Sequence, residues 1–172
     1  MISSPERATG APTSSLDLLN RSVADELQAV HQYMYFHFQL ADQGLGPISG
    51  LFKRTAIIEM GHVEALAERI LFLKGEVEMT AAGPVAKITD PAAMLAKAAE
   101  MERASVRDYN QAAKECAALA DAGSQQLFER LVADEESHFG QFEKQLDHIK
   151  RFGPSYLALQ SFGTLNEVPG KE

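Results

Sequence analysis

Four segments of this sequence repeat apolar residues at helical spacing, and a single glutamate interrupts each of the four stripes. The first stripe reads Leu19, Val23, Glu26, Val30, Tyr33, and the second Phe52, Ala56, Glu59, Val63, Leu66, Ile70. The third reads Leu95, Ala98, Glu102, Val106, Tyr109, Ala113, and the fourth Phe128, Leu131, Glu135, His138, Phe142. A stripe of this period has to bury itself against other helices, so the chain is predicted to be all-α. The first helix should run from about Leu16 to Asp42, ended by Gly44 and Gly46, and the second from near Pro47 to Lys74, before Gly75. Asp90-Pro91 supplies a cap and a first-turn proline for a third helix reaching about Ala122, before Gly123. Ser124 would cap a fourth, running to about Phe152, and a short fifth would cover Ser155 to Phe162. Short loops join the helices into two antiparallel hairpins. The stretch 76–89, with Gly83 and Pro84 and no helical period, reads as a long crossing connection. The expected architecture is a four-helix bundle with one long crossover and a short C-terminal fifth helix. It occupies residues 15–163, between a Ser, Thr, Pro and Gly-rich arm (1–14) expected to be disordered or loosely attached and a frayed tail (164–172).

Composition removes several function classes. A formal net charge of −8 and no basic run argue against nucleic acid as a partner. The N-terminus lacks a signal-peptide core, and no apolar run is long enough for a membrane span, so the expected location is cytoplasmic. Cys116 is the only cysteine, which excludes an internal disulfide and a thiolate-rich metal site. It falls on the third stripe and reads as a small core residue.

The glutamates share depth as well as face. Each lies within about a turn of its helix midpoint, at about 1.5 Å of rise per residue, so antiparallel packing would bring all four to one level. Burying even one uncompensated carboxylate costs several kcal/mol. Two divalent cations would neutralise four. His62 follows Glu59, and His138 follows Glu135, one turn later on nearly the same face. A lone Glu-x-x-His on a helix is usually a solvated surface pair. Two such pairs on separate apolar stripes, facing two further stripe glutamates, point to a dinuclear metal site. Carboxylates with one imidazole per metal suit iron or manganese better than calcium or structural zinc. Tyr33 and Tyr109, two turns past stripe glutamates, read first as core, with contact to a ligand as the alternative. Met60 points away from the bundle centre and reads as an ordinary hydrophobic contact at a subunit interface. His31, His37 and His148 have no ligand-spaced partner.

With these residues in view, the sequence resembles the ferritin-like di-iron proteins, and among them the bacterioferritins. ELQAVHQY (26–33), IEMGHVEALAERILFLKG (58–75) and DEESHFGQFEKQLDHI (134–149) carry the resemblance, which covers about residues 16–160. It implies iron storage and detoxification, with a ferroxidase that oxidises Fe2+ with O2 or H2O2 and deposits ferric mineral inside a cage. The metal ligands, which are also the catalytic residues, would be Glu26, Glu59, His62, Glu102, Glu135 and His138, holding two iron ions per subunit. Glu26 and His62 would serve one iron, Glu102 and His138 the other, and Glu59 and Glu135 would bridge. Tyr33 matches a tyrosine near the metal pair. Met60 matches a methionine that ligates haem b between two subunits at a twofold axis. The implied assembly is a homo-oligomeric cage of twenty-four subunits built from dimers, with the fifth helix helping to close it. Arg54 and Ile58 depart from the family's common His and Asp on the route from the metal pair to the cavity. Gly61, beside Met60, replaces a commonly charged residue, and His31 a common Asn. A rubrerythrin-like di-iron peroxidase is the enzyme alternative, but Ser105 stands where such proteins often carry an extra glutamate. A non-cage ferritin-like metal-binding protein is another alternative, and a DNA-coating mini-ferritin conflicts with the acidic charge.

Overall fold

The computed structural model describes residues 14–162, so the expectations for most of the N-terminal arm and for the C-terminal tail lie outside the described residues. Five helices follow one another: α1 (Ser15–Asp42), α2 (Gly46–Phe72), α3 (Pro91–Ala118), α4 (Ala122–Phe152) and α5 (Pro154–Gln160). Helix α1 packs mainly on α2, and α3 on α4, giving the two expected hairpins. Ser14 opens α1 with a capping box. Its Oγ accepts the Asp17 N–H at 3.1 Å, and the Asp17 carboxylate accepts the Ser14 N–H at 3.0 Å.

Helix α5 starts one residue before and ends two residues short of its expected span, and three other helix ends differ from the sequence expectation. Helix α2 ends at Phe72, two residues short of Lys74, and Lys74 itself takes the left-handed turn, with φ of 61°. Gly75 is needed for space instead, because a Cβ there would lie 2.4 Å from Leu16 Cδ2. Helix α3 ends at Ala118, four residues early, with Ala120 left-handed at φ 57°. Helix α4 is capped by Asp121 rather than Ser124, since Asp121 Oδ1 accepts the Ser124 N–H at 3.1 Å. Ser124 instead donates its hydroxyl to Asp121 and accepts from Arg69 Nε at 2.9 Å, so the guanidinium passes directly over Gly123.

The crossover is held by a ladder of side-chain amides along one face of α1. Asn20 accepts from Glu78 N and donates to Glu76 O. Gln28 does the same with Gly83 N and Pro84 O, and Gln32 with both backbone groups of Ala86. Between them the Ala82 N–H reaches Ala24 O at 2.9 Å. Residues 20, 24, 28 and 32 repeat every four positions, which is one helix face.

The apolar core is divided into two blocks. One combines Leu19, Val23, Leu66, Ile70, Cys116 and Phe128 with their neighbours. The other is rich in aromatic side chains, with Phe52 in ring contact with Tyr33, Phe36 and Phe142, and Tyr33 with Phe142, at 5.0–5.8 Å. The layer between them belongs to the stripe glutamates. Val30, read as core, is only half-buried and lines an outer cleft, because Ala29 takes the inward position between Glu26 and Tyr33.

Candidate metal centre

Each stripe glutamate projects from the middle of its helix into the layer between the two apolar blocks. Glu26, Glu59, Glu102 and Glu135 are 0–2% exposed, and His62 and His138 only 6% and 3%. The six form two overlapping groups able to hold a metal ion: Glu26, Glu59, His62 and Glu135, and Glu59, Glu102, Glu135 and His138. Glu59 and Glu135 belong to both. Glu59 turns Oε2 to His62 Nδ1 at 2.8 Å and Oε1 to His138 Nδ1 at 3.0 Å. Glu135 turns Oε1 to His62 Nδ1 at 3.0 Å and Oε2 to His138 Nδ1 at 3.5 Å. Each central carboxylate thus divides its two oxygens between the two halves. The outer carboxylates serve one half each, Glu26 lying 3.3 Å from His62 Nδ1 and Glu102 3.7 Å from His138 Nδ1.

Two tyrosines support the outer carboxylates. Tyr109 on α3 donates its hydroxyl to Glu26 Oε1 on α1 at 2.6 Å, and Tyr33 on α1 donates to Glu102 Oε1 on α3. Both aromatic bodies also pack in the core, so the core reading and the ligand-contact reading hold together. Burial and the neighbouring carboxylates push both phenols well above their ordinary pKa, which keeps them neutral donors.

The residues fit a pair of cations. Both Glu59 oxygens, both His62 nitrogens, Glu135 Oε1 and His138 Nδ1 are buried with no hydrogen-bond partner among the described residues. Their close contacts lack hydrogen-bond alignment, and buried polar atoms in a native core are normally satisfied. Electrostatics agree. Burial pushes the Glu26 carboxyl up to about 8, with Glu59 and Glu135 adding to it and His62 opposing. Burial likewise raises Glu102 well above the usual range. Burial opposes charge on His62, yet Glu135, Glu26 and Glu59 outweigh it and push the imidazole strongly up. His138, against the same burial, is pushed up to about 12 by Glu102, Glu135 and Glu59. Without metal, protons hold the places that cations would take. The oxygen-rich donor set with one imidazole per group suits iron or manganese.

Similarity to known proteins agrees with this geometry. A family described as Ferritin, the ferritin-like domain, matches residues 16–152. A bacterioferritin of Desulfovibrio desulfuricans is 36% identical over 143 residues, 83% of this chain and 80% of that one. A bacterioferritin of Rhodobacter capsulatus is 33% identical, over 90% of this chain and 92% of that one. The chain belongs to the ferritin-like family, and within it to the bacterioferritins. The solved D. desulfuricans bacterioferritin, described with its diiron site in different catalytic states, superposes with a TM-score of 0.84 at 35% identity, covering 86% of each chain. The R. capsulatus structure, described with a metal-free dinuclear site and a haem iron in a crystallographic special position, gives 0.82 at 31% identity over 86% of this chain and 92% of that one. Among bacterioferritins, then, a structure with a diiron site and one with haem iron are both on record.

The remaining residues singled out in the sequence are accounted for. His31 is exposed. His37 contacts Ser49 Oγ at 2.8 Å through Nδ1 and clamps α1 to α2, while His148 packs edge-on against Tyr156. Cys116 is wholly buried, as its stripe position implied. Arg54 and Ile58 lie exposed on α2. Met60 is 37% exposed on the outer face of α2, in an open, largely apolar cleft of about 420 Å3 with Val30, Met34, Ala56, Ile57, Gly61 and Glu64. Gly61 leaves this face bare, since a Cβ there would meet nothing within 4 Å among the described residues. One residue near the metal layer escaped the sequence reading: Asp134, whose Oδ2 stands 3.4 Å from His62 Nε2. Its only sequence signal is its place immediately before Glu135.

Proposed function

We propose that this protein stores iron and that the six-residue centre is its ferroxidase site, oxidising Fe2+ with O2 or H2O2 ahead of ferric mineral deposition. The observation that carries this reading is the way Glu59 and Glu135 each share their oxygens between the two histidines, as bridges between two cations must. Fe2+ is the substrate. Glu26 and His62 would complete one position, and Glu102 and His138 the other. A bound iron pair would supply the electrons for the oxidant. The chain's own residues neutralise charge, keep Glu26 and Glu102 oriented through Tyr109 and Tyr33, and release the protons they hold as Fe2+ enters. The apolar blocks on either side keep solvent from the layer.

The Met60 cleft supports haem b between two copies of the chain, since a thioether can ligate haem iron axially and the cleft offers an apolar half-site. The assembly would be a cage of twenty-four chains built from such dimers. Among the described residues no helix is long and apolar enough to cross a membrane.

The test is Fe2+ oxidation followed by ultraviolet absorbance after stopped-flow mixing. Glu59→Ala and Glu135→Ala should each abolish the fast phase, because each removes a shared ligand. Wild-type rates in both variants would sink the assignment.

A further inference from the structure

A pseudo-twofold relation exchanges α1 with α3 and α2 with α4 at the metal layer. Glu26 matches Glu102, and Tyr33 matches Tyr109, each seven residues later. Glu59 matches Glu135, and His62 matches His138, each three residues later. The contacts obey the relation too, since each tyrosine donates to the outer glutamate of the exchanged helix. The relation breaks immediately before the central glutamates, where α4 has Asp134 and α2 has Ile58. Asp134 places Oδ2 3.4 Å from the outer nitrogen of His62. Among the described residues, the ion contacts of His138 are all made through Nδ1, and Nε2 has no carboxylate beside it.

We propose that the two metal positions are unequal: the His62 position binds a divalent cation first and more tightly, because Asp134 backs its imidazole and Ile58 stands at the matching place for His138. This rests on the six-residue site proposed above. A carboxylate beside the outer N–H of a ligating histidine keeps the proton on that nitrogen, leaves the inner lone pair free for metal, and raises ligand basicity. At 3.4 Å, with no hydrogen bond formed between them among the described residues, Asp134 acts first through its charge. Its side chain is 57% exposed, so solvent screens part of the effect. The effect belongs near the lower end of the roughly 10–100-fold range seen when such partners of metal ligands are lost. Asp134 is a positioning residue: it acts on the metal only through His62.

Co2+, added anaerobically to the metal-free full chain and followed by its visible d–d absorption, tests this without turnover. The wild type should take up two Co2+ per chain in two resolved steps. Asp134→Ala should weaken the first step by about tenfold, shift the spectrum of the first equivalent, and leave the second step unchanged. Asp134→Glu should restore most of the loss. Ile58→Asp should strengthen the second step and bring the two together. His138→Gln should keep the tight step, and His62→Gln should lose it. Two Co2+ bound with one affinity, or an Asp134→Ala titration identical to wild type, would overturn the inequality while leaving the six-residue site standing. Failure of the wild type to bind two Co2+ would overturn the site and the inequality together.

Discussion

At the scale of single residues, the metal layer is a set of buried acids and bases that only protons or cations can balance. The raised pKa values of His62, His138 and Glu26 mean that these groups hold protons around neutral pH when no metal is bound, and burial pushes Glu102 in the same direction. Metal must displace those protons, so affinity should rise with pH. Co2+ affinity should be markedly weaker at pH 6 than at pH 8, and calorimetry in buffers of different ionisation enthalpy should register proton release; a pH-independent affinity would contradict the burial argument. The same shift sets a stability trend. Glu26 has a folded value of about 8 against an ordinary 4.5, so the folded state holds its proton more tightly than the unfolded state. Its favourable contribution is full below about 4.5 and is lost as pH rises to about 8. Metal-free wild type should therefore lose thermal stability relative to Glu26→Gln across that window. Scanning calorimetry of the two proteins would reveal the divergence, and parallel curves would refute it.

At the scale of elements, the bundle depends on how its helices are started and tied. Asp121 caps α4 and grips Arg69 from the last turn of α2, joining the two hairpins at one end. Burial works against the Asp121 charge, yet Ser124, Ser15 and Arg69 hold its carboxyl well below the ordinary 3.8. Asp121→Ala should cost about 0.5–2 kcal/mol at neutral pH, the range of a lost helix cap. A depressed carboxylate contributes fully above its unfolded value and loses that contribution as pH falls through the folded one. The gap between Asp121→Ala and wild type should therefore stay level from pH 7 down to about 4 and narrow below it. Urea unfolding across that range would reveal a gap that fails to narrow. Gly123 belongs to the same device, because a Cβ there would fall 2.6 Å from the guanidinium it lies beneath.

At the scale of the whole molecule, one face of the α1–α2 hairpin is dressed for a partner. Ile57 (62% exposed) and Met60 share the cleft with Val30 and Met34, and Phe38, Leu71 and Phe72 are exposed elsewhere on the hairpin. A contiguous apolar cleft of this kind marks an interaction surface, whereas the scattered groups do not. Light scattering after size-exclusion chromatography should return a mass near twenty-four chains, and a monomer would refute the cage. Haem reconstitution followed by the pyridine haemochrome assay should give one haem per two chains. Met60→Ala should lose it. Undiminished haem in that variant would return Met60 to plain packing.

The sequence by itself determined the helices, the hairpins, the crossover and the candidate ligands. A 3.6-residue apolar period and a charged residue inside it are local patterns, and helix rise converts position into depth. Glu26, Glu59, Glu102 and Glu135 were legible because four independent stripes repeat the same exception. Tertiary structure decided what depends on approach between helices distant in sequence. It sent the Tyr33 and Tyr109 hydroxyls across the bundle to Glu102 and Glu26, and laid the crossover on Asn20, Gln28 and Gln32. It brought Arg69 from another helix onto the α4 cap, where the guanidinium contacts both Asp121 and Ser124. Above all it placed Asp134 behind His62: on its own helix Asp134 is an ordinary solvent-facing acid, and only the packing of α4 on α2 gives that charge an imidazole to act on.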